Sequence, residues 1–323
     1  MKRRHALLAA PALAAAFLLP GAAAAQDYPT KTVKIVAPVQ PGGGVDLVAR
    51  TVAEQLTKSL GQTFIVENLS GGGGVIAAQA VAKAAPDGYT LMLGYVATHG
   101  TVPAVRKVAY DAVKDFTPIA MVAGTPNVLV IANSVPATDA RSLIEYAKAN
   151  KVSYGSAGQG SLTHLAMEQF RTAAGFEAVH AAYRGIGPAI TDILGGQTHM
   201  MMPGLAAAVP HIRAGKMKPI AVTGLRRHPL LPDVPTFEEL GYKGFDGVQW
   251  YGIVGPAGMP AAVTRKLNDE INKAIGTPEL QKRLSGEALD VMPMSPEQFG
   301  RFMQADIAKW AKLAKDRNIT LEN

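Results

Sequence analysis

The chain of 323 residues contains no cysteine. Disulfides, thiolate metal centres, iron–sulfur ligation and a cysteine nucleophile are thereby excluded. Aromatic residues are scarce at 6%, and charged residues make up 18%, too few for a disordered polyelectrolyte when 48% of the chain is apolar. Several catalytic signatures are missing too. There is no Gly-x-Ser-x-Gly, so no nucleophile elbow. There is no Gly-x-x-x-x-Gly-Lys-Ser/Thr phosphate loop, and Gly155 to Gly160 has the wrong spacing for Gly-x-Gly-x-x-Gly. The histidines are dispersed at 5, 99, 164, 180, 199, 211 and 228, with no His-Glu-x-x-His among them. Beyond the N-terminus no apolar run is long enough to span a bilayer.

What is present begins with an export signal. Lys2, Arg3 and Arg4 form a basic head, Ala6 to Pro20 an apolar stretch, and Ala23-Ala24-Ala25 a small-residue cleavage site. Residues 1–25 are expected to be a signal peptide cleaved near Ala25, and the mature protein to be periplasmic. A buried N-terminal helix is the alternative, which Pro11 and the alanine run disfavour. No cysteine follows for lipidation, and Arg3-Arg4 does not decide between the general and the twin-arginine export routes. Losing three basic residues lowers the formal net charge from +7 to +4. So mild a surplus gives no reason to expect nucleic acid as a partner, and it tolerates an anionic ligand.

A repeating unit fills the mature chain: a short β-branched run, a glycine-rich turn, then a helical stretch. Val33 to Ala37 precedes Pro41-Gly42-Gly43-Gly44 and a helix over Leu47 to Leu60. Phe64 to Val66 precedes Gly71 to Gly74 and a helix from Val75. Val152 to Tyr154 precedes Gly155 to Gly160 and a helix from Leu162 to Ala174. Val179 to Tyr183 precedes Gly185-Ile186-Gly187-Pro188 and a further helix. This alternation predicts an α/β fold with parallel-rich sheets flanked by helices. Thr277-Pro278-Glu279 and Ser295-Pro296-Glu297 mark two later helix starts, each with a capping hydroxyl before a proline. The length suits about two domains. Two extended stretches read as crossings between lobes, near 125–131 and 222–250. They give a first lobe of 28–131 plus 247–323 and a second of 132–246. A single large sheet without a hinge fits the pattern equally well.

In an open parallel sheet a ligand sits beyond the C-terminal strand ends, where these turns lie. There a helix N-terminus offers unpaired amides and a positive dipole end, and glycine lets an anion reach them. The turns Pro41 to Asp46 and Gly155 to Ser161 fall in opposite lobes, so together they would clamp one carboxylate. Read singly, such glycines serve turn geometry. Asp46, in a helix first turn, reads as structural rather than as a general base. His164, one turn after Ser161, either faces the cleft or, more in keeping with its position, packs or caps locally. Asp192, mid-helix, pairs with Arg184 or forms a surface contact; the sequence does not decide between them. Met200-Met201-Met202 reads as a buried strand. An exported enzyme using Asp46 or His164 as base is the competing reading.

The ordered set of motifs resembles the exported solute-binding proteins of tripartite tricarboxylate transporters, the Bug family. The matching pieces are Tyr28-Pro29, Pro41 to Arg50, Pro86-Asp87-Gly88-Tyr89-Thr90-Leu91 and Lys114-Asp115-Phe116-Thr117-Pro118-Ile119. Tyr154 to Gly158, Gly160 to Leu165, Tyr183-Arg184-Gly185, Pro188 to Gln197, Val234-Pro235-Thr236 and Pro256-Ala257-Gly258 follow. The resemblance spans nearly the whole mature chain. It implies a two-lobe Venus-flytrap fold, type II-like, without catalytic activity or cofactor. It also implies a monomer that takes a small carboxylate to a permease of one large and one small subunit. An adaptor that carries the same ligand to a membrane sensor would have the same sequence features. The ligand-binding residues implied are Gln40, Gly42, Gly43, Asp46, Ser156, Gly158, Gly160, Ser161 and His164. The departures fall near the cleft: Val45 in place of the usual hydroxyl residue, Val39-Gln40 in place of an aromatic, Thr101-Val102-Pro103 and Met202-Pro203-Gly204. The more apolar first turn suits an aromatic or less oxygenated acid.

Overall fold

The computed structural model describes residues 28–245 and 247–316; the expected signal segment, 1–25, lies outside them. The chain opens with β1 (Val33–Ala37), α1 (Gly44–Leu60), β2 (Phe64–Asn68), α2 (Val75–Ala82), β3 (Thr90–Tyr95) and the short α3 (Val102–Val105). The long β4 (Phe116–Pro126) is followed after one residue by β5 (Val128–Ala132). Next come α4 (Ala140–Ala149), β6 (Val152–Ser156), α5 (Leu162–Ala174), β7 (Ala178–Ala182), α6 (Ile186–Leu194), β8 (Met200–Met201), α7 (Leu205–Arg213) and β9 (Met217–Val222). The chain then returns through β10 (Val248–Pro256), α8 (Ala261–Ile275), α9 (Pro278–Gly286), β11 (Asp290–Val291) and α10 (Pro296–Asp316).

These strands form two sheets, ordered β11-β4-β10-β3-β1-β2 and β7-β6-β8-β5-β9. Each has its own apolar core. The two-lobe alternative is therefore the one realised. Strands joined by helical crossovers run parallel: β1 with β2 and β3, and β6 with β7 and β8. The strands that carry the chain between sheets run antiparallel, β10 with β3 and β4, and β5 with β8 and β9. Both sheets are thus mixed, parallel where helices join the strands and antiparallel at the strands β10 and β5 by which the chain enters them from the other lobe.

The local chemistry explains the elements. Val48, Val52 and Leu56 lie four apart on α1 and are all buried. Gly61 ends that helix in the left-handed conformation, φ 69°, its amide bonded back to the Thr57 carbonyl. Leu267, Ile271 and Ile275 bury one face of α8 as the four-residue repeat predicts, while Val263 is half-buried. Thr277 caps α9 by accepting from the Leu280 amide. Met200, Met201 and Met202 are all fully buried, the first two in β8.

The first crossing is tighter than the sequence suggested. β5 pairs only with strands of the five-stranded sheet, so the chain changes sheet at Asn127, and residues 128–131, expected in the first lobe, belong with the second. The reason is local: Asn127 is locked to the returning chain. Its amide donates to Thr223 Oγ1 at 2.8 Å, the Thr223 amide donates back to its carbonyl at 2.8 Å, and its side chain donates to the Met202 carbonyl at 2.8 Å. Thr223 Oγ1 also donates to the Gly247 carbonyl at 2.9 Å, so three passing segments are tied together where they cross.

Candidate functional site

A narrow cavity of about 30 Å³ lies between the two sheets. The first lobe lines it with Val39, Gln40, Gly43, Gly44, Val45, Tyr95, Gln249 and Tyr251; the second with Ala157, Ser161, Leu162, Thr163, Ile186, Gly204 and Ala207.

The first-lobe wall is the turn from β1 into α1. Gly43 is the N-cap and, lacking a side chain, supplies no capping bond. The amides of Gly44 and Val45, in the first turn, have no intrahelical acceptor and sit at the positive end of the dipole. Gly43 is extended, φ −110°, so its glycine answers to space and not to torsion. A Cβ there would come within 2.7 Å of Ile186 Cγ2 in the opposite lobe, and one on Gly44 within 2.6 Å of the Tyr251 hydroxyl.

Asp46 is architectural. Its carboxylate accepts from Arg50 at 3.0 Å, Asn68 at 2.9 Å and the Gly42 amide at 3.3 Å. Burial works against its ionisation, but those bonds outweigh it and hold its pKa below the usual aspartate value. The Gly42 amide is spent on this contact, and Gly42 itself is exposed at the rim. Gln40 also lines the cavity, while its side-chain amide donates to Ser70 at 2.7 Å.

The second-lobe turn satisfies itself. Ser156 Oγ meets His180 Nε2 at 2.7 Å and accepts from the Gly158 amide at 3.2 Å. The Ala157 amide donates to Thr163 Oγ1 at 2.8 Å, and the Gly160 amide to His164 Nδ1 at 3.2 Å. Ser161 caps α5 by accepting from the His164 amide and donates to the Gly158 carbonyl at 2.7 Å. Of the residues expected here, Ser161 borders the cavity, whereas Ser156, Gly158, Gly160 and His164 stand behind it.

His164 packs and caps. Its ring stacks on His180 with centroids 4.1 Å apart, and His180 stacks on Tyr154 at 4.8 Å. The column ends on Glu168, which accepts from the Tyr154 hydroxyl at 2.5 Å and from Arg171 at 2.6 Å. Burial, with the neighbouring His180, pushes His164 down to about 4, so it is neutral with Nδ1 as acceptor. Asp192, half-buried, does not pair with Arg184 but makes its contact with Tyr183, accepting from the hydroxyl at 2.6 Å.

The sequence reading assigned neither the starts of α6 and α7 nor two buried tyrosines to this wall. α6 and α7 begin at Gly185 and Gly204, again without a side-chain cap. Tyr95 and Tyr251, at 4% and 2% exposure, both line the cavity, and among the described residues neither hydroxyl has a hydrogen-bonding partner. Buried phenols are ordinarily partnered. A Cβ built on Gly204 would be 3.5 Å from the Tyr251 hydroxyl, which therefore sits between the starts of α1 and α7. Gly185 to Pro188 did announce a glycine-rich helix start. Tyr251 lies in a crossing strand and carried no such signal.

A second cavity of about 190 Å³ adjoins the first, and Val39, Tyr95 and Ala157 border both. It is walled by Gly71 to Gly74 and Arg106 from the first lobe and by Gly158, Gln159 and Arg184 from the second. Among the described residues no group of His, Asp or Glu is placed to hold a metal ion, and no helix is long and apolar enough to cross a membrane.

Comparison with known proteins agrees with this architecture. Residues 48–319 match the model of the tripartite tricarboxylate transporter family receptor, TctC. Protein BugT of Bordetella pertussis is 32% identical over 302 residues, covering 92% of this chain and 93% of that protein. A Rhodopseudomonas palustris protein solved with adipate superposes with a TM-score of 0.88 at 35% identity, over 91% of this chain and 99% of the other. MatC of the same organism, with bound malate, gives 0.84 at 32% identity, over 88% and 99%. The fold is that of the two-lobe periplasmic binding proteins, and the chain belongs to the tripartite tricarboxylate transporter receptor family.

Proposed function

We propose that this protein is a periplasmic solute-binding protein that captures a small carboxylate between its lobes and delivers it to a tripartite permease. It performs no chemistry on the ligand. The observation that carries this reading is the unpartnered Tyr251 hydroxyl, buried between the uncapped starts of α1 and α7. A phenol O–H and first-turn amides are all donors, and they converge from both lobes on one cavity. A carboxylate supplies the acceptors they lack, and it does so away from competing water. Side-chain cations are not needed for that first contact. The apolar remainder of the wall, Val39, Val45, Ile186 and Ala207, suits a ligand with a hydrocarbon body. The bound adipate and malate of the two related structures have that chemistry.

The test is calorimetry on protein stripped of ligand by partial unfolding and refolding, against a panel of mono-, di- and aromatic carboxylates. At least one acid is expected to bind in the micromolar range or tighter, with loss of affinity in Tyr251→Phe. Failure of every anion to bind refolded, cooperatively melting protein would refute the reading.

A further inference from the structure

Four strands form the outer edges of the two sheets, and three of them are guarded. β11 is two residues long and starts with an aspartate. β9 carries Lys218 and Pro219, and residues 235–237 lie along its end: the Val222 amide donates to the Pro235 carbonyl, and the Phe237 amide to that of Val222. β2 carries Glu67, paired with Lys34 of β1 at 3.2 Å. Short length, charge, proline and a covering segment are the means by which a sheet keeps foreign strands off its edge. β7, Ala178-Val179-His180-Ala181-Ala182, has none of them. It pairs with β6 alone, in unbroken register.

This edge is ready to pair. The Tyr183 amide donates to the Ser156 carbonyl, so by strand alternation the main-chain groups of Val179 and Ala181 face β6, and those of Ala178, His180 and Ala182 face outward. Val179 is 70% exposed, an apolar side chain on an open strand. Beside the start of β7 lies a groove of about 490 Å³, lined by Ala147, Val152 and Phe176 and by the exposed Lys148 and Lys151. Arg184, also exposed, follows the other end of the strand. Among the described residues none of these three cations has an ion-pair partner. Glu177, the one acid in the groove lining, is already paired with Arg171 at 3.3 Å.

That charge pattern selects the occupant. A second copy of this chain, added about a two-fold axis, would pair β7 with itself antiparallel and set Arg184 of each copy toward Lys148 and Lys151 of the other. Like charges facing each other oppose such a pairing. An extended segment with Asp or Glu at its ends meets cations at both ends, main-chain donors and acceptors between them, and a groove for an apolar side chain. A five-residue strand covers too little surface for a permanent complex, so the contact is transient. The groove lies at the N-terminal ends of β6 and β7, whereas the cleft lies beyond their C-terminal ends, so it stays open whatever the cleft holds.

We propose that the outer edge of β7, with the Lys148–Lys151 groove beside it, is a docking strip for an extended acidic segment of a partner protein, which joins the second sheet as an added strand. The proposal goes beyond the carboxylate-binding reading and does not depend on it.

The probe is a short peptide of alternating valine and threonine flanked by aspartates, titrated into nitrogen-15-labelled protein. Two controls accompany it: the same peptide with lysine for each aspartate, and the aspartate peptide with proline at its centre, which keeps the charge and cannot pair. The aspartate peptide is expected to bind with a Kd below about 1 mM, shifting amides in residues 147–152 and 177–182, and each control about tenfold more weakly. Ala178→Pro removes an outward N–H at the first strand position, where proline is tolerated, and is expected to weaken the aspartate peptide about tenfold. Lys148→Glu with Lys151→Glu is expected to reverse the preference toward the lysine peptide. Melting curves show that the variants fold, and the lysine pair, being at the surface, tests the strip even if the proline variant does not. No shift at β7 at about 1 mM peptide, equal binding of the proline-interrupted peptide, or an unchanged preference in the lysine double variant would each overturn the proposal. So would sedimentation as a dimer that Ala178→Pro abolishes, since the edge would then belong to a second copy.

Discussion

Two glycine-rich turns border the same cleft, and they dispose of their amides in opposite ways. The first-lobe turn, Gln40 to Asp46, spends one amide, that of Gly42, on Asp46 and leaves the start of α1 uncapped. The second-lobe turn, Ser156 to Ser161, binds the amides of Ala157, Gly158, Gly160 and Ser161 within itself or to the residues just after it. Similar composition therefore conceals different work. An amide already paired gives little to a ligand, since breaking its bond returns what the new bond gains. The first turn is open for recognition, and the second is a rigid brace that sets α5, while α6 and α7 supply the open ends on that side.

The sharpest way to break this contrast is Gly43→Val. The backbone there is extended and accepts any residue, so folding is expected to be unaffected in the open form. The added side chain collides with Ile186 across the cleft and covers the amides behind it. Affinity is expected to fall by roughly a hundredfold, about 2.7 kcal/mol, within the range of an overpacked contact. Calorimetry reads the loss and a thermal melt confirms the fold; unchanged affinity would mean that the ligand does not use this wall. Gly160 offers no such clean test. Its φ of 79° makes any side chain there a strain on the backbone, so valine at 160 would report on stability before binding.

That distinction marks how far the sequence could be read. Periodicity found most strands and helices, because the burial of Val48, Val52 and Leu56, or of Leu267 and Ile271, repeats with the helix. The ordered motifs gave the two-lobe fold. Glycine clusters located the cleft, since a close approach between lobes leaves no room for a Cβ at Gly43, and the Tyr251 hydroxyl on the cavity wall leaves none at Gly44. What they did not disclose was which amides were free. That depends on partners distant in sequence, as with Ser156 and His180, or on a hydroxyl brought in by a crossing strand, as with Tyr251. The expected crossing at 125–131 contains Asn127 but was not narrowed to that residue, for a related reason. Its lock onto Thr223 spans 96 residues, and β4 and β5 are both apolar runs with a single residue between them.

Acid should separate the two turns next. The second turn depends on neutral His164, whose pKa is depressed from 6.5 to about 4 by burial and by His180. His180 is lowered too, chiefly by burial, and Glu168, held ionised by Arg171 and Tyr154, pulls slightly the other way on both rings. Because the unfolded chain takes up a proton first, stability is full above pH 6.5 and declines as the pH falls toward about 4. A protonated ring can no longer accept from the Gly160 amide. Asp46, with its pKa lowered, stays ionised through that window, and its contribution is lost only at more acid pH. Hydrogen exchange followed from pH 7 to 4.5 is expected to speed up at Gly160, after correction for intrinsic rates, while Gly42 stays protected. Simultaneous loss at both amides would mean that His164 does not govern the second turn.

Ser156→Ala asks for the smallest effect, and it probes the brace alone. Ser156 borders neither cavity, yet its hydroxyl accepts from Gly158 and meets His180 Nε2. Removing it leaves the buried Gly158 amide and the ring nitrogen without that partner, at a cost of about 1 kcal/mol in stability. Ligand affinity is expected to stay within about threefold, because no contact to the guest is removed and α6 and α7 keep their positions. A melt and a binding isotherm on the same preparation decide the matter. A stability loss with affinity kept places Ser156 among the supporting groups. A fall in affinity of about tenfold or more, with the melt unchanged, would put its hydroxyl on the ligand and make the two turns equivalent after all.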